Sequence, residues 1–343
     1  MSNTASRFDA YDRAAVDDGW PQDDDLPPLR TEVSVERPRS VITRNASPDL
    51  SFDRSINPYR GCEHGCVYCF ARPSHAWLGY SPGLDFETKL IARPDAPEVL
   101  ERELAKPGYR VAPIAIGTNT DPYQPIERDY RVMRRLLEVL AAHNHPVTIT
   151  TKGALIERDL DLIADLAERG LAQVGVSVTT LDNELSRAME PRCPLPARRL
   201  QTIERLAAAG VPVRVMASPV VPGLTDHETE AILAAAAEAG ATAASAIILR
   251  LPREVAGLFR EWLAEAVTGK AAKVMARVRA AHGGRDYDPE WGKRMRGEGA
   301  FAELHRHRFL IVCKRLGLSE SLPDLRRDLF AVPPRVGDQL SLF

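Results

Sequence analysis

The strongest constraint on the fold of this chain is a repeat. Short β-branched or apolar runs at Val111–Ile116, Val147–Thr151, Gln173–Val178, Val211–Ala217 and Ala244–Leu251 start 26 to 38 residues apart. Between them, apolar residues recur three or four apart, as in Tyr130, Met133, Leu136, Leu137 and Leu140, or Leu160, Ile163, Leu166 and Ala167. A further set, Leu200, Ile203 and Leu206, ends at Gly210. Parallel strands need a crossover of a dozen residues or more, and an amphipathic helix supplies it. With a short strand before Gly61, the pattern makes six βα units. Six is too few for a closed eight-stranded barrel, which leaves an α/β partial (βα)6 barrel of the TIM type or an open doubly wound sheet. In both, chemistry gathers at the C-terminal strand ends. Here those ends run into Gly117-Thr-Asn-Thr-Asp121, Thr151-Lys152-Gly153, Ser177-Val-Thr-Thr180 and Ser218-Pro-Val-Val-Pro222.

The repeat occupies residues 51–251. Residues 1–50 lack periodicity, carry Asp23-Asp24-Asp25 and Pro27-Pro28, and read as an extended or mobile segment. Residues 252–330 read as a helical appendage, and residues 331–343 as a flexible tail. Near-equal totals of 45 basic and 47 acidic residues hide an asymmetry. Met1 to Leu50 holds ten acids against six bases, and Lys270 to Arg315 holds twelve bases against five acids. A basic stretch of that kind suits a polyanionic partner or a solvated helix face.

Composition excludes a collagen, a wholly disordered chain and a membrane protein. The span-like stretch Ala231–Leu249 carries Glu238 and Gly240 and reads as a helix end followed by a strand. Five cysteines are too few, and odd in number, for a disulfide scaffold. The opening residues are acidic and polar, unlike a signal peptide, so a reducing, cytoplasmic setting is expected.

Three of the five cysteines fall within eight residues, Cys62, Cys66 and Cys69, in a Cys-x3-Cys-x2-Cys spacing with Gly61 and Gly65 beside them. Thiolates so close can converge on one soft metal centre. A structural zinc site takes four closed ligands, so zinc would need His64 or a distant cysteine here. A cubane iron–sulfur cluster on three cysteines keeps one iron open for chemistry.

The string Asn57-Pro-Tyr-Arg-Gly-Cys-Glu-His-Gly-Cys-Val-Tyr-Cys-Phe-Ala-Arg72 resembles the radical S-adenosylmethionine superfamily, in its spore photoproduct lyase-like branch. So do Thr118-Asn-Thr-Asp-Pro-Tyr-Gln-Pro-Ile-Glu127 and Glu190-Pro-Arg192. The resemblance covers roughly residues 54 to 250. It implies a [4Fe-4S] cluster on Cys62, Cys66 and Cys69, S-adenosylmethionine at the open iron, and a flavodoxin- or ferredoxin-type electron donor. Reductive cleavage of the sulfonium would then give a 5′-deoxyadenosyl radical that takes hydrogen from substrate. A radical that reactive needs a dry pocket.

By the same resemblance, Lys152 and Ser177 occupy positions that contact the carboxylate or ribose of the cofactor. Tyr68 precedes the last cluster cysteine, Asn119 and Asp121 are candidates to hydrogen-bond cofactor or substrate, and Tyr123 is a candidate to pack on a base. Glu190 and Arg192 are expected to pair with each other or meet substrate. The lesion enzymes use a barrel cysteine as hydrogen donor, whereas the corresponding region here, Thr118-Asn119-Thr120, has no thiol. Cys193 is then either a radical relay or an incidental small residue, and Cys313, in an apolar run, a core residue.

The tail ends in Gln339-Leu340-Ser341-Leu342-Phe343, similar to the pentapeptide by which bacterial polymerases and repair proteins dock on the sliding clamp. Gln339, Leu340, Leu342 and Phe343 would be its anchors; a tail folded back on its own domain is the alternative. Lys293, Arg294, Arg296, Arg306, Arg308, Lys314 and Arg315, with Tyr287 and Trp291, suit phosphate tracking and base stacking. The leading reading is a radical enzyme acting on nucleic acid in DNA lesion repair. Alternatives are radical modification of RNA, a peptide or a small molecule, and a non-enzymatic iron–sulfur or zinc interaction module.

Overall fold

The computed structural model describes residues 2–5, 7–8 and 30–334. Among these, ten strands form: β1 (Glu32–Val35), β2 (Thr43–Arg44), β3 (Arg54–Ile56), β4 (Tyr59–Arg60), β5 (Lys89–Ala92), β6 (Ile114–Ile116), β7 (Val147–Thr151), β8 (Ala172–Ser177), β9 (Val213–Val220) and β10 (Ala243–Ile248). Strands β3, β6, β7, β8, β9 and β10 lie side by side in chain order, all parallel, with β2 antiparallel on the β3 edge. A doubly wound sheet reverses its strand order at a switch point. This one steps in a single direction from β2 at one edge to β10 at the other, the topology of a partial barrel.

The expected strands sit within a few residues of their sequence positions. Pro113 and Pro212 explain two late starts, because proline has no N–H for the ladder, and β6 and β9 each begin one residue after it. Alternation sets the two faces of the sheet. Ile149, Val174, Val176, Val213 and Val215 are buried outward against Leu136, Leu140, Ile163, Leu166, Ile203, Leu206 and Ile232 of the covering helices. Thr150, Ser177, Met216 and Ser218 face the lumen and line its upper cavity. A Cβ on Gly175 would lie 2.9 Å from Met216 Sδ, so glycine there makes room for the methionine of the neighbouring strand β9.

A second sheet, in the order β1-β5-β4, buttresses the entrance. Part of the segment expected to be extended or mobile is therefore fixed in place: β1 pairs with β5, and Val41 is buried beneath it. The appendage holds the helices Val255–Ala266, Ala271–Ala280 and Gly299–Leu316. Its apolar side does more than decorate the barrel. Phe259, Trp262, Leu263 and Val274 form one core with Cys66, Val67, Tyr68 and Cys193. Beyond the last helix, residues 317–330 are not helical but run under the barrel. Ser319 bridges to Ala243, Arg326 N–H donates to the Gly170 carbonyl, and Phe330 packs on Tyr109 and His145. Cys313 is buried in the core, as its apolar run implies. No helix among the described residues is long and apolar enough to cross a membrane. Gln339, Leu340, Leu342 and Phe343 lie outside the described residues.

Candidate active site

The cysteine loop leaves β4 directly, and its shape is fixed by backbone geometry before any side chain acts. Gly61 and Gly65 take φ +75° and +67°. A Cβ on Gly61 would lie 2.6 Å from Leu90 Cδ2, and one on Gly65 would lie 2.5 Å from Glu87 Oε2. Only glycine fits both the dihedrals and the space. Cys62 N–H donates to the Phe86 carbonyl at 2.9 Å.

Arg72, fully buried, then holds the loop from within. Its guanidinium donates to the carbonyls of Cys66 and Gly65 at 3.0 Å each and to Gly83 at 2.7 Å, and it pairs with Glu87 at 3.1 Å. Gln124 supports the other end, donating to the Gly61 carbonyl at 3.2 Å and accepting from Glu63 N–H at 2.8 Å. Both residues stand in the quoted strings, but nothing in the sequence marks them as loop supports.

Cys62, Cys66 and Cys69 line one cavity at the C-terminal ends of the strands, together with Tyr68, Asn119, Asp121, Lys152 and Ser177. The structure thus gathers most of the expected residues at one place, with differing roles. Lys152 lies with Nζ 5.7 Å from the centre of the Tyr68 ring, and no hydrogen bond or ion pair among the described residues holds it. Burial opposes its charge, yet the neighbouring Cys66, Glu190 and Cys193 raise its pKa. An ammonium kept charged on a cavity wall is suited to an anionic ligand group.

Asp121 is committed differently. It accepts from Thr151 Oγ1 at 2.6 Å, Lys152 N–H at 2.7 Å and Tyr123 N–H at 2.9 Å, and His64 Nδ1 lies 3.4 Å away. Burial would raise this carboxyl, but His64 and these donors hold it down to about 2. It organises the β7 loop that carries Lys152. Asn119 Nδ2 donates to Ser74 Oγ at 3.3 Å, and its backbone N–H to Asn57 Oδ1 at 3.0 Å.

Two expectations are corrected. Tyr123 cannot pack on a base, because it is 2% exposed with its hydroxyl on Asp159 at 3.2 Å. Glu190 and Arg192 do not pair with each other. Glu190 is buried against Arg199 and accepts from Tyr68, whereas Arg192 turns to Glu87 and the Glu63 carbonyl. Part of the basic appendage is paired: Lys293 meets Glu290, Arg294 meets Asp49 and Arg308 meets Glu230. His282 and His305 are buried.

Cys193 is also buried, its Sγ 3.8 Å from Cys66 Sγ. It packs behind the cysteine loop and does not line the cavity that Lys152 faces. Among the described residues, no three His, Cys, Asp or Glu side chains close on a single ion. Three thiols on the wall of one cavity can serve a polynuclear cluster.

Residues 56–236, more than half of the chain, match the family model of the Radical SAM superfamily. The chain belongs to that superfamily. The superfamily's cofactors are a [4Fe-4S] cluster and S-adenosylmethionine, and the thiol wall and the Lys152 ammonium of this chain fit both. An uncharacterised protein of Mycobacterium tuberculosis is 43% identical over 219 residues, covering 63% of this chain and 64% of the relative. Another, from Methanocaldococcus jannaschii, is 27% identical over 173 residues, covering 50% and 62%. The matches thus span less than two thirds of either relative. Spore photoproduct lyase complexed with dinucleoside spore photoproduct superposes with a TM-score of 0.63 at 13% identity, over 84% of this chain and 81% of that one. A double variant of that lyase, with bound AdoMet and the same dinucleoside, gives 0.61 at 13% identity, over 84% and 80%. At such identity the likeness is one of fold.

Proposed function

We propose that this radical SAM enzyme binds its cluster on Cys62, Cys66 and Cys69, holds S-adenosylmethionine against Lys152 and Ser177, and acts on a nucleic-acid lesion. The observation that carries the reading is the shared cavity: the three thiols and an unpaired ammonium face one space at the strand ends. When bound, the reduced cluster supplies the electron that cleaves the sulfonium of S-adenosylmethionine.

The chain's own residues do the positioning. Lys152 sets a positive charge where the amino-acid carboxylate of the cofactor would lie, and Asp121 fixes the backbone that presents it. Arg72 and Gln124 hold the loop so that three thiols point one way. Phe259, Trp262 and their neighbours close the loop's outer side and keep water from it.

The substrate reading draws on the dinucleoside bound by the lyase of like fold, and on Phe70 and Trp291, which are 46% and 59% exposed. A lesion in duplex DNA would have to leave the stack to reach the lumen. Docking on a sliding clamp through Gln339–Phe343, and reduction by a flavodoxin or ferredoxin, complete the proposal.

The test is anaerobic. Cluster-loaded protein with dithionite and S-adenosylmethionine should form 5′-deoxyadenosine, and deuterium from the true substrate should appear in it. No 5′-deoxyadenosine from fully loaded protein would overturn the chemistry. Label transfer from RNA, a peptide or a small molecule alone would overturn the substrate. Clamp pull-down with and without residues 339–343 tests the tail.

A further inference from the structure

Arg250 follows β10 at the barrel mouth and lines the same cavity as Cys69 and Phe70. Its guanidinium carbon sits 4.4 Å from the centre of the Phe70 ring. The side chain is half-buried, and among the described residues no carboxylate, carbonyl or hydroxyl accepts from it. That is unusual in this molecule. The buried arginines Arg72 and Arg199 meet Glu87 and Glu190, and Arg158 meets Glu127 and Asp159. Arg214 shares the lack of a partner, but it does not reach this cavity.

The nearby carboxylate that might answer Arg250 is already taken. Asp49 accepts from Arg294 Nε at 2.5 Å and from Gly292 N–H at 2.7 Å. Removing a cation from water without an anion is costly, and burial, with the Arg294 charge nearby, depresses the pKa of Arg250. Among the described residues, the guanidinium at the opening keeps its hydrogen-bonding capacity unspent.

We propose that Arg250, stacked on Phe70, anchors a phosphodiester of the strand whose base enters the barrel mouth. This rests on the nucleic-acid reading above and names the group that grips the strand. A guanidinium fork matches two phosphate oxygens, and an arginine beside an exposed aromatic ring is the pairing that holds single strands. Phe70 keeps 46% of its surface exposed, leaving ring for a base to cover. The surface continues past Asp49 to exposed Trp291 and Arg296, which share a depression with Pro48. A small carboxylate substrate would have no use for that extension.

The experiment is fluorescence anisotropy of a labelled single-stranded DNA of about 15 nucleotides, with anaerobically reconstituted full-length enzyme across a salt series. Arg250→Ala should bind roughly tenfold more weakly, with a log K against log salt slope shallower by about one, at unchanged iron content. Arg250→Lys should recover the slope without the full affinity, because it keeps the charge and loses the fork. Should Arg250→Ala fail to load iron, Arg250→Gln, which keeps length and polarity without charge, decides in its place. Wild-type affinity and slope in the neutral variant would overturn the anchor and leave the nucleic-acid reading standing. No binding by the wild-type enzyme would overturn both.

Discussion

Glu190 and Arg199 form an ion pair in which both side chains are completely buried. Tyr68, the residue before the last cluster cysteine, donates its hydroxyl hydrogen to the same carboxylate. Arg199 also donates to the Pro194 carbonyl at 2.7 Å and the Ser177 carbonyl at 3.3 Å. One charge pair thus ties the cysteine loop, the end of β8 and the start of the helix Pro196–Ala208 together. Burial works against the Glu190 charge, but Arg199 and Lys152 keep its pKa low.

Breaking that pair should be expensive. Glu190→Gln leaves Arg199 charged and buried, a change that costs about 3–5 kcal/mol in comparable settings. Urea unfolding of the cluster-free protein should show a loss of that order. The double change Glu190→Met with Arg199→Met, which removes both charges, should cost less than the single one. A loss under about 1 kcal/mol for Glu190→Gln would mean that water reaches the pair.

Cys66→Ala should abolish cluster assembly without unfolding the chain, since a buried thiol gives way to a methyl of similar bulk. Iron and sulfide analysis of anaerobically reconstituted protein should fall to background, with the far-ultraviolet circular dichroism unchanged. A brown, iron-replete variant would refute the ligand assignment. Cys193→Ala, with the same burial but outside the cavity, should keep its iron.

The barrel was readable because its cause is periodic. Alternation within Val147–Thr151 and the helical spacing of Met133, Leu136, Leu137 and Leu140 each state which face is buried. The three cysteines were readable because their spacing is local. What did not show was anything set by contacts distant along the chain. Nothing near Glu190 says that its partner is Arg199 and not Arg192, because that choice depends on how the helix after Pro196 turns back on β8. The pairing of Arg294 and Arg308 was hidden for the same reason, since Asp49 and Glu230 lie elsewhere along the chain. Arg250 carried no local signal either, and its interest lies in the partner it lacks among the described residues.

Lys152→Ala should weaken S-adenosylmethionine binding while leaving iron content intact. Among the described residues no carboxylate pairs directly with the ammonium, so its loss removes a ligand contact and one of the two charges that keep Glu190 ionised. Charge-assisted hydrogen bonds of this kind contribute about 1.5–3 kcal/mol, roughly a tenfold to hundredfold change in affinity. Equilibrium binding of S-adenosylmethionine to the oxidised cluster form measures it. Unchanged affinity would make Lys152 a loop residue only.

Acid stability should depend on His145, at the closed end of the barrel. The ring is fully buried, with Nε2 2.8 Å from Tyr109 Oη and Nδ1 3.0 Å from the Pro146 carbonyl oxygen. Burial lowers its pKa to about 4, against a slight rise from the Pro146 carbonyl. The unfolded chain binds this proton near pH 6.5 and the folded chain only near pH 4, so folding is favoured above the first value and loses that advantage as pH falls through the window. The loss from this one group between those limits is roughly 3 kcal/mol. His145→Gln keeps a donor and an acceptor but cannot take up the proton. Urea midpoints at pH 7 and pH 4.5 should therefore differ less for the variant than for the wild type. Equal pH dependence in the two proteins would show that the imidazole is protonated in the folded state, and that Tyr109 and the Pro146 carbonyl hold it charged.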